Sequence, residues 1–115
     1  MAPVFLPDLR LNADLTGPQG GAPLVLVHAL GTSAAIWDDL LPLLPPSLRV
    51  LRFDLRGHGA SDVPPAPYAM GALIRDTERL MDHFALKDAV IVGLSIGGLV
   101  AQGLAVKRLD LIRGM

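Results

Sequence analysis

Apolar residues recur along this chain in two rhythms, one of period two and one of helical period. Residues 4–6 and 9–15 read as the arms of an opening hairpin split by Pro7-Asp8, and Leu9, Leu11, Ala13 and Leu15 fall on one face of the second arm. Leu24-Val25-Leu26-Val27 is apolar without alternation and is bounded by Pro23 and Gly31, the pattern of a parallel strand covered on both faces. Residues 49–54 and 89–92 read as two further core strands. Between strands the spacing lengthens. Ile36, Trp37, Leu40, Leu41 and Leu44 predict one helix, capped by Thr32 or Ser33 and stopped by Pro45-Pro46. Leu73, Ile74, Thr77, Leu80, Met81 and Phe84 predict a second, with Arg75, Asp76, Arg79 and Asp82 on the opposite face. Segments 16–21 and 57–67, dense in Gly, Pro and Ser, are loops. Strands that alternate with helices imply an α/β fold: a mostly parallel sheet with an N-terminal hairpin and flanking helices. Leu109, Leu111 and Ile112 begin another approach to the sheet, with no sixth strand expected to receive it.

Composition narrows the partners. With 115 residues, 51% hydrophobic and 18% charged, the chain has material for one buried core, a single domain or part of one. Ten basic and eleven acidic residues leave a net charge of −1, too weak a field to gather phosphates, so nucleic acid is not expected as a partner. The absence of cysteine removes disulfides and thiolate metal sites, and residues 1–14 lack the basic and apolar regions of a secretory signal, which together suggest a cytoplasmic setting.

Residues 89–106 are uncharged, lie between Lys87 and Lys107-Arg108, and contain Gly93 and Gly97 in a G-x-x-x-G, a pattern that raises a membrane span. Four glycines, Ser95 and Gln102 weaken that reading. A buried strand followed by a helix starting near Ser95 accounts for the same run, so no membrane partner is expected.

Three constellations carry candidate chemistry. In Gly93-Leu94-Ser95-Ile96-Gly97-Gly98 a G-x-S-x-G falls where a strand ends and a helix begins. Small neighbours at Gly93 and Gly97 let the backbone bend sharply into a nucleophile elbow and hold the Ser95 hydroxyl outward, and the Ile96 N–H, in the first helical turn, is free to donate to an oxyanion. The order of a dinucleotide-binding glycine loop is not met. In His28-Ala29-Leu30-Gly31-Thr32, Gly31 permits a loop that folds back beside the elbow, and Leu30 N–H is the expected second oxyanion donor. His28 reads as a strand-end histidine whose ring nitrogens satisfy loop carbonyls. In the segment from Asp54 to Asp62, His58 could serve as a general base oriented by Asp54 or Asp62; the favoured alternative is a structural loop in which Arg56 pairs with one of those aspartates. His83 reads as a helix-face residue, and the histidines lack metal-ligand spacing, so neither metal nor cofactor is expected.

The ordered set His28-Ala-Leu-Gly-Thr32, Trp37-Asp38, Arg52-Phe-Asp-Leu-Arg-Gly-His-Gly-Ala-Ser61 and Gly93-Leu-Ser-Ile-Gly-Gly98 resembles the α/β-hydrolase superfamily across nearly the whole chain. Softer features, the Ala-Leu-Gly-Thr loop and the Gly-Ala-Ser-x-x-Pro-Pro run, resemble the 3-oxoadipate enol-lactonase family of the β-ketoadipate pathway of aromatic catabolism. The resemblance implies a serine hydrolase of small esters or lactones, with Ser95 as nucleophile, Leu30 and Ile96 as oxyanion donors, and no cofactor. Esterase, C–C bond hydrolase, haloperoxidase-like and non-catalytic members share the fold. It also implies a partial domain spanning residues 1–115, because family members are roughly twice as long and their acid, histidine and helical cap come later. The chain alone is then expected to turn over little or nothing. It is also expected to expose the 89–92 strand as an unpaired apolar edge open to self-association or complementation.

Overall fold

Residues 1–115 are all described by a computed structural model, a six-stranded sheet with two α-helices on one face. Strands β1 (Ala2–Leu6) and β2 (Leu9–Thr16) form the hairpin, with Leu6 opposite Leu9 and Ala2 opposite Ala13. Strands β3 (Pro23–Val27), β4 (Arg49–Phe53) and β5 (Ala89–Gly93) are parallel, and the order across the sheet is β1-β2-β4-β3-β5-β6. β3 therefore lies at the centre, which is why its residues are apolar at successive positions. Val25 and Val27 enter the large core under the helices, while Leu24 and Leu26 pack with Trp37 and Val50 on the other face.

Helix α1 (Met70–His83) buries Leu73, Thr77, Leu80 and Met81, the stripe expected from its spacing, and the Thr77 hydroxyl returns a hydrogen bond to Leu73 O at 3.0 Å. Helix α2 (Ile96–Lys107) buries Gly97, Val100, Ala101 and Leu104. Just past the end of α2, Arg108 reaches two residues of α1, the partly buried Glu78 at 3.0 Å and the exposed Asp82 at 3.1 Å, a pairing at the surface that fixes orientation more than it adds stability.

Four expectations are corrected. The apolar positions from Ile36 to Leu44 do not form one α-helix. They make two short 3₁₀ turns, Ala34–Trp37 and Leu41–Leu43, with N–H groups bonding three residues back, as in Leu40 N–H to Trp37 O at 3.0 Å and Leu43 N–H to Leu40 O at 2.9 Å. Pro42 is the reason: it has no N–H, and its ring obstructs the carbonyl an α-helical ladder would need. The cap is Ser33, whose hydroxyl accepts the Ala35 N–H. Asp76 does not lie on a solvated face but is fully buried against Arg56. Arg56 accordingly pairs with neither Asp54 nor Asp62.

The fourth correction concerns the sheet edge. A sixth strand does form, β6 (Ile112–Gly114), and it pairs in parallel with β5 at Ala89 and Val90. The edge is thus closed at the start of β5, and pairing ends before Ile91. The uncharged stretch 89–106 is divided by Leu94 and Ser95 between β5 and α2, and no helix is long and apolar enough to cross a membrane.

Candidate active site

Because β4, β3 and β5 run parallel side by side, their C-terminal ends deliver three segments to one edge of the sheet: the loop from Asp54, the loop from His28, and the turn at Ser95. Ser95 joins β5 directly to α2 with φ 56° and ψ −117°, a left-handed conformation that a serine adopts only under constraint. The constraint is visible. Leu94 N–H donates to Val27 O at 3.1 Å, and Gly98 N–H closes back on Ser95 O at 2.9 Å. A methyl group on Gly93 would overlap the backbone of Gly97 and lie 2.5 Å from Gly98 N, while one on Gly97 would overlap the carbonyl of Val27 and come 2.9 Å from His28 O. Only glycine fits either place, and the close approach sets the start of α2 against the loop that follows β3. Ser95 is exposed at the bend. Ile96 is the first residue of α2, so no helical carbonyl precedes it to take its N–H.

The loop after β3 presents a second unused donor. Leu30 is exposed, and its N–H makes no hydrogen bond within the chain. The sequence therefore placed Ser95, Ile96, Leu30, Gly93 and Gly97 in adjoining segments of one sheet edge, and the fold brings those segments together.

The histidines are committed elsewhere. His28 is fully buried; its Nδ1–H donates to Ala29 O at 2.8 Å and its Nε2 accepts Leu55 N–H at 2.9 Å, so one ring nitrogen meets a loop carbonyl and the other an amide. Burial pushes its pKa below 6.5, with the nearby His58 adding to the effect and the Ala29 carbonyl opposing it. His58 Nδ1–H donates to Arg56 O at 3.0 Å, and its Nε2 accepts Gly31 N–H at 2.9 Å. These bonds define the neutral Nδ1–H form of each ring and occupy each Nε2 lone pair. His83 ends α1, at the opposite end of β5 from Ser95.

Asp54 is an organiser of the loops. Its carboxylate accepts Ala34 N–H at 2.8 Å, Ala60 N–H at 3.0 Å and the Asn12 amide at 3.1 Å. Burial disfavours its charge, but those donors outweigh burial and hold its carboxyl below the ordinary aspartate value of 3.8. Asp62 turns outward to Arg10, 3.4 Å away. Arg56 makes two bonds to Asp76, Nε to Oδ2 at 2.6 Å and Nη2 to Oδ1 at 2.9 Å. Neither the His58–Gly31 contact nor the Arg56–Asp76 pair was readable from the sequence, because each joins residues twenty or more positions apart that only the parallel sheet and α1 bring together.

An elbow of this form at the end of a parallel strand defines a fold class, and the match is direct: the family model for the alpha/beta hydrolase fold covers residues 22–115, and the chain belongs to that family. Within it, the chain is 34% identical over 99 residues to 3-oxoadipate enol-lactonase 2 of Acinetobacter baylyi, an alignment that covers 86% of this chain and 37% of that protein. It is 37% identical over 105 residues to the pimeloyl-[acyl-carrier protein] methyl ester esterase of Vibrio vulnificus, covering 91% of this chain and 38% of that one. The crystal structure of the enol-lactonase from Burkholderia xenovorans LB400 superposes with a TM-score of 0.90 at 34% identity, over 96% of this chain and 44% of that chain. The chain spans less than half the length of the relatives it matches.

Proposed function

We propose that this chain is the nucleophile-bearing part of a serine hydrolase that cleaves small carboxylic esters or lactones, with the 3-oxoadipate enol-lactonase reaction the favoured one. The observation that carries the reading is Ser95, exposed in a left-handed bend between β5 and α2, with Ile96 N–H next to it in the chain and the unpartnered Leu30 N–H in the loop after β3.

In this mechanism Ser95 Oγ attacks the substrate carbonyl while a histidine removes its proton. The negative charge that develops on the carbonyl oxygen is met by the two amides, which need no reorganisation because the backbone already aims them. Collapse of the tetrahedral intermediate expels the alkoxide or enolate, which takes a proton from that histidine; water then releases the acid from Ser95 by the reverse sequence. His28 and His58 do not supply the base, since each Nε2 already accepts an amide N–H. The base and its orienting acid come from residues other than these. It follows that the 115-residue chain by itself turns over little or nothing, and that the edge left open beyond Val90 of β5 favours self-association or pairing with a completing segment.

The test uses a polypeptide that joins this chain to an acid- and histidine-bearing remainder. A fluorophosphonate should label Ser95, and Ser95→Ala should lower kcat for the enol-lactone or an activated ester by roughly 10⁴-fold or more. Wild-type turnover in the alanine variant sinks the assignment. Preference for methyl esters over lactones would move the substrate, not the nucleophile.

A further inference from the structure

Leu30 N–H is held in place by two histidines, His28 gripping the carbonyl of its own peptide group and His58 the N–H of the next. The segment Ala29 to Thr32 is a tight turn closed by Thr32 N–H to Ala29 O at 3.2 Å, with Gly31 at φ 78°, the third-position conformation of a type II turn. Ala29 C=O and Leu30 N–H belong to one peptide plane and point in opposite directions. That carbonyl accepts from three donors at once: Thr32 N–H, the Thr32 hydroxyl at 2.7 Å and His28 Nδ1–H at 2.8 Å. With the oxygen fixed inward, Leu30 N–H faces outward without a partner.

The next peptide plane, Leu30 C=O with Gly31 N–H, could still rotate, because a glycine at this position allows the turn to flip between types at little cost. His58 prevents it. Its Nε2 accepts Gly31 N–H at 2.9 Å, and its own orientation is set by Nδ1–H donating to Arg56 O. The two loops are reciprocally tied, since His28 reaches across to Leu55 N–H while His58 reaches back to Gly31 N–H, and the rings lie 5.0 Å apart. Asp54 adds a third tie, to Ala34 N–H.

We propose that His58 is a positioning residue for the oxyanion site: by capturing Gly31 N–H it locks the turn whose Leu30 N–H meets the developing negative charge. The inference rests on the reading of Ser95 and Leu30 given above. His58 touches no reacting atom, so its loss should weaken stabilisation of the transition state and leave ground-state binding intact.

Three substitutions separate this role from general support of the loop. His58→Gln retains an acceptor at the reach of Nε2; His58→Asn is polar but too short; His58→Leu has bulk without an acceptor. In the 115-residue chain, the Gly31 amide proton should be protected from exchange in the wild type and in His58→Gln, and unprotected in the other two. In the catalytically complete polypeptide, kcat should fall roughly 10- to 100-fold in His58→Asn and His58→Leu with KM nearly unchanged, and His58→Gln should recover most of it. Should His58→Leu fail to fold, the comparison of Asn with Gln decides. Wild-type kcat in His58→Asn, together with an inactive Ser95→Ala, overturns the positioning role and leaves the hydrolase reading standing. Full turnover in Ser95→Ala overturns both.

Discussion

Gly97 packs so tightly on Val27 that a single methyl group would overlap the Val27 carbonyl oxygen and lie 2.9 Å from its carbonyl carbon. Its neighbour Gly98 is different: a methyl there would sit 3.5 Å from Gly93 O, an ordinary contact. Gly97→Ala must push α2 away from β3 and should cost about 2 kcal/mol or more, within the range of overpacked interiors. Gly98→Ala should instead stabilise by about 0.5–1 kcal/mol, through the better helix propensity of alanine. Urea unfolding of the two variants checks the pair, and equal effects would show that the backbone contact at Gly97 does not set the elbow.

The Arg56–Asp76 pair ties the loop after β4 to the middle of α1, with Asp76 fully buried and the Arg56 side chain 15% exposed. Removing the guanidinium would leave a buried carboxylate with only Arg79, 3.7 Å away, for company. Arg56→Met should therefore destabilise the fold by about 3–5 kcal/mol, the cost of an orphaned buried charge. Replacing both partners, as Arg56→Met with Asp76→Leu, should recover much of the loss. A double variant as unstable as the single one would mean that packing, not the uncompensated charge, is what Arg56 contributes.

Much of this was legible in the sequence because periodicity reports burial. The unbroken apolar run of β3 follows from its place at the centre of the sheet, and the stripe on α1 follows from facing that sheet. The elbow was legible too, since Gly93 and Gly97 are required by local backbone contacts. Three things were not. Pro42 interrupts the hydrogen-bond ladder while leaving the apolar spacing intact, so the pattern from Ile36 to Leu44 suggested a helix that the backbone cannot make. Asp76 looked solvated because its partner lies twenty positions away. β6 was missed because a strand of three residues carries no period to read.

The two buried acid-sensitive groups predict how stability depends on pH. His28 has a folded pKa below 6.5, so the stability it contributes is complete above about pH 6.5 and is lost as pH falls toward its folded value. Asp54 has a folded pKa below 3.8; its contribution is complete above that value and is lost as pH falls through the folded pKa. The unfolding midpoint in urea, followed from pH 8 to 3 (roughly the span of both groups), should begin to decline below about 6.5 and decline again below about 4. In His28→Gln the upper part of the decline should flatten, although the variant starts from lower stability. A wild-type midpoint constant between pH 7 and 5 contradicts the proposed role of His28.

The final prediction concerns the sheet edge. β6 covers Ala89 and Val90, but its pairing stops there, and Ile91, Val92 and Gly93 line an open groove with Gly98, Ala101, Gln102 and Met115. Val90 and Val92 are each 38% exposed on the face away from α2, so unpaired backbone and apolar side chains meet at one place. Such an edge recruits another strand, and natural sheets block it with charge. Sedimentation velocity of the 115-residue chain should therefore show mass rising with concentration, and Val92→Lys should shift the distribution toward monomer without lowering the unfolding free energy by more than about 1 kcal/mol, since the residue is already partly solvated. A chain that stays monomeric at every concentration in its wild-type form would show that β6 protects the edge by itself.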